Sequence, residues 1–486
     1  MRATKRSGGR RRTGRRALPG ALCIALALTL NGCSLMLTDY TRPELENVAT
    51  YARSQEFTGQ RLDKDFYTLF EDPALNTLME QALKANFDLR EAYLNVTRAG
   101  YELGAARTSL LPDANASAGA NLSRDLSSSD SSDRSSSSSL GLSYEVDLFS
   151  RLEAARLSSF ENLKATAFDY LAMRLSVISG VGSAYWQYAY AREALALGKA
   201  ELADAQKRLD IVGARYRAGA VDGLEYDTAR VDYLTVKESY QSRVEALAHA
   251  RTALDYLLGQ GADREVNVSA LDTAQLPDIT LNVPAALLAR RPDLMAAEAR
   301  LREAYYNADE ASLAYYPVFN LSLNAVAGDS TTFGRFLSDP VGSLGAALTF
   351  PFVNYADLYY AEKASLVDRE LAQLAFINTY LTAVREVYDL SESVAYYREV
   401  IQTTADSYAL ARRNYDRYAE RYRLGAASLT DFLNASDTLR SAAIAYLDCK
   451  RGHLEALMNL MVALGGGLNE ASLEEVLSSL EDSAQP

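Results

Sequence analysis

Arg215-Tyr-Arg-Ala-Gly-Ala-Val-Asp-Gly-Leu-Glu-Tyr226 and Arg421-Tyr-Arg-Leu-Gly-Ala-Ala-Ser-Leu-Thr-Asp-Phe432 align without a gap at a spacing of 206 residues. Other landmarks recur at nearly that interval: Leu111-Pro112 with Tyr316-Pro317 at 205, Asp147-Leu-Phe149 with Phe350-Pro-Phe352 at 203, and His249 with His453 at 204. A fixed internal period marks a duplicated structural unit. The 486 residues therefore divide into a leader (1–32), an N-terminal segment (33–72), two copies (73–270 and 271–466) and a tail (467–486). Repeated units commonly share one packed structure, so two copies need not be two domains.

Within each copy the hydrophobic period switches from helical to strand-like and back. No proline interrupts Arg151 to about Gly213, and Leu171, Leu175, Ile178, Gly182, Tyr185 and Ala189 follow alternating steps of four and three, a coiled-coil seam. One helix over that span would be roughly 95 Å long; a kink at Gly180 or Gly182 would divide it in two. The counterpart runs from about Ala356 to Glu420, with Val367, Leu371 and Leu374 on one face.

Strands are expected at about 112–149 and 317–352, where apolar residues alternate with polar or small ones. Leu140 to Leu148 is apolar on even positions, Val318 to Ala325 on odd ones and Ser343 to Phe350 on even ones, with Asn115 to Ser123 a weaker fourth case. One apolar face suits a barrel with lipid outside and a polar lumen; periodicity alone also fits a soluble sandwich sheet. The Ser-rich stretch Ser123 to Ser139 reads as a solvated, flexible loop joining the first two strands. Four strands cannot close a barrel, since the smallest single-chain examples have eight. Unpaired edges in lipid are not tolerated, so other copies of the chain must complete the sheet.

Composition narrows the class. With 48% hydrophobic and 23% charged residues the balance is globular. Eight basic side chains and no acid occupy the first 32 residues, ahead of the apolar run Ala21 to Leu30, which is too short to span a bilayer and reads as a signal peptide. Arg15-Arg16 would also suit twin-arginine export. The run ends in Leu30-Asn31-Gly32-Cys33, which resembles the lipobox of bacterial lipoproteins; the plain alternative is a signal with a chance cysteine. An acylated Cys33 would carry several chains, enough for stable anchoring. Ser34, in place of an inner-membrane-retaining aspartate, points to the outer membrane. Loss of the leader takes the net charge from −13 to −21, which disfavours a nucleic-acid partner. Cys449 alone remains, as a small packed residue, so no internal disulfide forms.

Tyr40-Thr-Arg-Pro43, Phe70-Glu-Asp-Pro-Ala-Leu-Asn76, Asn86-Phe-Asp-Leu89, Arg291-Pro-Asp-Leu-Met-Ala-Ala-Glu298 and the two Tyr-Arg-x-Gly turns, taken in order, resemble the TolC/OprM family of outer-membrane efflux lipoproteins. The resemblance covers nearly the whole mature chain. It implies an α+β membrane protein: a homotrimer whose 12-stranded outer-membrane β-barrel, four strands per chain, continues into a long α-helical coiled-coil tunnel in the periplasm. It further implies a passive channel for drugs, toxic compounds or metal ions, joined through a periplasmic adaptor (membrane fusion) protein to an inner-membrane RND-type pump. A type I protein secretion exit duct and a non-pore periplasmic scaffold lipoprotein are the alternatives.

The same resemblance places Arg217, Gly219, Ala220, Arg423, Gly425 and Ala426 at adaptor-docking tips, and Glu225, Tyr422 and Asp431 at a periplasmic constriction. Without it, the glycines are helix-reversing turns and the carboxylates are routine partners of helix starts. Ala427 and Asn434 depart from the TolC pattern, where an arginine and a second aspartate occur. No phosphate loop, nucleophile elbow or paired-cysteine site is found. His249 and His453 have no ligand partners at metal spacing and read as surface helix residues. No enzymatic activity, cofactor or metal is expected.

Overall fold

The computed structural model describes residues 37–43, 62–124, 132–259, 261, 266–277, 291–329, 341–468 and 470–483. The expected signal peptide and Cys33 lie outside the described residues. The helices and strands, in chain order, are α1 (Pro73–Ala85), α2 (Phe87–Thr108), β1 (Asp113–Arg124), β2 (Ser132–Val146), α3 (Arg151–Arg217), α4 (Gly223–Leu257), α5 (Pro292–Leu313), β3 (Val318–Asp329), β4 (Val341–Thr349), α6 (Tyr355–Arg423), α7 (Leu429–Ala463) and α8 (Glu470–Ser483). They form two compact units, and each unit draws on both copies of the repeat.

The first unit, drawn from residues 1–42, 102–160 and 302–370, holds one antiparallel sheet in the order β1-β2-β3-β4. Its register puts the alternating apolar residues on a common face. Ala114, Leu142, Leu323 and Leu344 form one cross-strand row, and Val146, Phe319 and Leu348 another. The intervening rows are polar or small: Asn115, Gly141, Asn324 and Ser343, then Asp113, Ser143, Ser322 and Gly345. Gly141 matters here, because a Cβ would collide with the Asn115 and Asn324 carboxamides reaching over it from both neighbouring strands. Leu323 and Leu344 remain 52% and 82% exposed, so among the described residues the apolar face has no cover. The outer edges of β1 and β4 also lack a partner strand among the described residues.

The expected Ser-rich loop is corrected in part. Ser132 to Ser139 belong to β2 and pair with Arg124 to Ser117 of β1, and the Ser117 and Ser139 hydroxyls lie 2.7 Å apart. Ladder hydrogen bonds use only the main chain, and short hydroxyl side chains leave that ladder intact where no apolar face is required. Ser123 and Arg124 are likewise strand residues.

The second unit, drawn from residues 43–101, 161–301 and 371–486, is helical. Both long helices are unbroken, α3 over 67 residues and α6 over 69. Gly182 does not kink α3; it admits the Met458 side chain of α7, whose Cε lies 3.1 Å from where a Cβ would stand. The seam expected in α3 is core: Leu171, Leu175, Ile178, Tyr185 and Ala189 are all buried. Its counterpart in α6 is not, since Val367, Leu371 and Leu374 are 54–62% exposed. Periodicity identifies an apolar face but not what covers it, and among the described residues no other segment covers this one. Phe70 packs on Trp186 at 4.9 Å in the same core.

Asp72 caps α1 through Ala74 N and Leu75 N, and its carboxylate also accepts from Tyr185 Oη (2.6 Å) and Ser269 Oγ (2.9 Å). Arg291 donates to the Ala463 carbonyl, to Asp293 and to Glu386, which explains its burial. Cys449 is buried, as expected. His453 corrects the surface assignment: it is 4% exposed and stacks on Tyr397, and burial pushes its imidazole below the ordinary value. His249, at the equivalent place in the first copy, is exposed. Among the described residues no helix is long and apolar enough to cross a membrane, and no group of three His, Cys, Asp or Glu is placed to hold a metal.

Candidate functional site

The duplicated Tyr-Arg-x-Gly segments reverse the chain between α3 and α4 and between α6 and α7. Both reversals follow one chemical plan. Gly219 N–H donates to the Tyr216 carbonyl and Ala220 N–H to that of Arg215; Gly425 and Ala426 do the same to Tyr422 and Arg421. This six-to-one, five-to-two pair closes a helix end through a left-handed residue, and glycine takes that conformation without strain. The φ angles are 70° at Gly219 and 73° at Gly425. The following helix then starts on a side-chain cap, Asp222 accepting from Glu225 N and Ser428 from Asp431 N.

At the next step the copies diverge. Asp431 turns back onto Ser428, accepting from its N–H (3.2 Å) and hydroxyl (2.8 Å) in a capping box, and these bonds hold its carboxyl below the usual range. Glu225, at the same place in the first copy, reaches across to the second: Tyr422 Oη donates to its Oε1 at 3.1 Å. Burial raises the Tyr422 hydroxyl pKa, the Glu225 charge raises it further, and Arg215 opposes. Arg215 lies 5.2 Å over the Tyr422 ring, whose other neighbour is Phe432 at 5.6 Å. Tyr422 thus sits in a small apolar cluster with Val212, Ala229, Leu429 and Phe432. Beside it, Arg208 pairs with Asp232 at 2.8 Å.

A cavity of about 400 Å³ opens between the two reversals, bounded among others by Arg215, Asp222, Glu225, Tyr422 and Ser428. Of the expected constriction residues, Glu225 and Tyr422 are brought together and Asp431 is occupied at its own helix start. Arg217, Gly219, Ala220, Arg423, Gly425 and Ala426 are all exposed, so the whole expected docking set faces outward from the two turns. Sequence inspection missed Arg215 and Phe432 as neighbours of Tyr422. Their signal was present, because both lie inside the aligned repeat; Phe432 meets Tyr422 within one copy, whereas the approach of Arg215 from the other copy is not visible in either copy alone. Exposed Leu224 and Leu424 were also missed; they flank the two glycine turns.

With this geometry in hand, comparison with known proteins gives the class. The model of the outer membrane efflux protein family matches residues 78–260 and 283–466, one match per copy of the repeat, and the chain belongs to that family. Among its relatives are the toxin and drug export protein A of Aggregatibacter actinomycetemcomitans, 27% identical over 90% of this chain and 95% of that protein, and the pyoverdine export outer membrane protein OpmQ of Pseudomonas aeruginosa, 29% identical over 83% and 87%. The fold is that of the Campylobacter jejuni CmeC outer membrane channel, with a TM-score of 0.81 over 92% of this chain and 98% of that one at 23% identity.

Proposed function

We propose that the protein is the outer-membrane channel of a tripartite efflux pump, a lipid-anchored homotrimer. It passively conducts drugs, toxic compounds or metal ions handed over by a periplasmic adaptor and an inner-membrane RND-type pump. The observation that carries this is the four-stranded sheet, which among the described residues has one uncovered apolar face and two unpartnered edges. Such a sheet is stable in lipid only when copies close it, and three copies give twelve strands. Acylation of Cys33 anchors each chain. The exposed turns at Arg217, Gly219, Ala220, Arg423, Gly425 and Ala426 receive the adaptor. The Tyr422–Glu225 bond joins the tip of one helix pair to that of the other and so resists their separation, while Asp431 adds negative charge nearby. A ring of such carboxylates favours cations.

Planar-bilayer recording of the purified protein tests the proposal. Discrete conductance steps are expected, larger or more frequent after Glu225→Gln, and a protein passing no current in either form would be a scaffold. A second reading, the exit duct of a type I protein secretion system, gains support from the relative named for toxin export. Reconstitution with a proton-driven pump or with an ABC exporter separates the two.

A further inference from the structure

Tyr40-Thr-Arg-Pro43 follows the expected acylation site by a few residues, and the channel mechanism makes no use of it. In the structure this stretch lies along α5. Thr38 donates both its N–H and its hydroxyl to Asp309, one to each carboxylate oxygen, at 2.8 and 2.6 Å. Asp309 is only 6% exposed, and both described donors to its carboxylate come from Thr38. A buried carboxylate without donors is costly, so this pair is held firmly. Two residues further on, Tyr40 meets Tyr305 edge-on at 5.5 Å and lies under the Arg302 guanidinium at 4.8 Å. Arg302, Tyr305 and Asp309 occupy one face of α5 at steps of three and four.

The location of this face gives it meaning. Asp309 stands one turn before the end of α5 at Leu313, and β3 starts at Val318. At that end of the sheet Val146 pairs with Phe319 and Val318 with Thr349, and the aromatic residues gather there. Phe149 stacks on Tyr316 at 4.7 Å, Phe350 meets Phe352 at a tilt at 5.5 Å, and Phe350, Phe352 and Tyr355 are 47–60% exposed. Aromatic side chains concentrate where a membrane meets water. Cys33 is five residues from Thr38, so its Cα stays within about 18 Å of that of Thr38.

We propose that Asp309, with Arg302 and Tyr305, is the positioning site for the N-terminal lipid anchor, pinning Thr38 and Tyr40 so that the acyl chains enter the membrane leaflet at the aromatic end of the sheet. The proposal rests on acylation of Cys33. Pinned here, the anchor and the strands are held at one membrane boundary.

The test uses the full chain in lipid nanodiscs, from cells fed an alkyne palmitate, with a fluorophore on Asp39→Cys and spin-labelled lipids as depth probes. Residue 39 is exposed beside the pin. In the otherwise wild-type chain, quenching is expected to peak at the interfacial label, and the amides of residues 37–41 to exchange about tenfold more slowly than after Asp309→Ala, which spreads the depth profile. Asp309→Asn keeps one carbonyl acceptor and restores part of the protection, a rescue that mere helix packing would not give. Thr38→Val removes only one exposed donor and keeps the test valid if Asp309→Ala does not fold. If acylated wild type and acylated variants share one exchange rate and one depth profile, the pin is refuted while the anchor stands. If no palmitate is incorporated, or Cys33→Ser incorporates as much, the anchor and the pin fall together.

Discussion

Tyr422→Phe isolates the bond that joins the two helix reversals. The substitution keeps the ring, its stack on Phe432 and its place under Arg215, and removes only the hydroxyl that donates to Glu225 at 3.1 Å. A buried hydrogen bond to a charged acceptor contributes about 1.5–3 kcal/mol. Tyr422 is 8% exposed but Glu225 is only half-buried, so screening lowers the expected loss to about 1–2 kcal/mol per chain. If three chains open together, the closed state loses about 3–6 kcal/mol, a shift of roughly 10² to 10⁴ in the open-to-closed ratio. Single-channel recording reads this directly as open probability. Tyr422→Phe and Glu225→Gln should each raise it, and the double variant should raise it little further, because both remove one interaction. Additive effects, or an unchanged open probability in Tyr422→Phe beside an open Glu225→Gln channel, would refute the latch.

Gly219→Ala and Gly425→Ala force a side chain into the left-handed region in otherwise open space and should each cost about 1 kcal/mol. Tryptic cleavage after Arg217 and Arg423 then rises about fivefold if local opening controls it. Asp72→Ala removes a helix cap, a buried bond from Tyr185 and a part-buried one from Ser269 at once, and should lower stability in a denaturant titration by about 3 kcal/mol, with Asp72→Asn losing less. The Tyr422 hydroxyl titrates above its ordinary value of 10.0. Its contribution is therefore complete below pH 10 and is lost as pH rises through the higher folded value, so open probability should climb on the alkaline side in wild type and stay flat in Tyr422→Phe.

Much of this architecture is legible in the residues because duplication and period are local properties. The span of α3, the alternation in the apolar parts of the strands and the glycine turns follow from spacing, although spacing left a kink at Gly180 or Gly182 open and marked β1 only weakly. Less legible is whatever depends on a distant partner. Ser132 to Ser139 carry no strand-like apolar pattern, yet the ladder extends through them because it needs only backbone. Glu225 and Asp431 are equivalent in the repeat, but a serine at 428 draws Asp431 home, while Glu225 meets Tyr422 of the other copy. His453 and His249 share a repeat position, and only the former is enclosed. The α6 face at Val367, Leu371 and Leu374 is apolar by sequence and uncovered among the described residues, a gap that a neighbouring copy is expected to fill.

If copies of the chain close the sheet, disulfides trap β1 of one chain against β4 of the next. Single cysteines are placed on β1 at Ala114, Ala116 or Ala118 and on β4 at Leu344, Ala346 or Leu348, in a background where Cys449 is already buried. The expected result is a set of β1–β4 pairs that cross-link only between chains, giving a denatured ladder that stops at three. Cross-links confined to one chain, a ladder that continues past three, or no cross-link at any pair in the membrane-embedded protein would rule out closure by three copies.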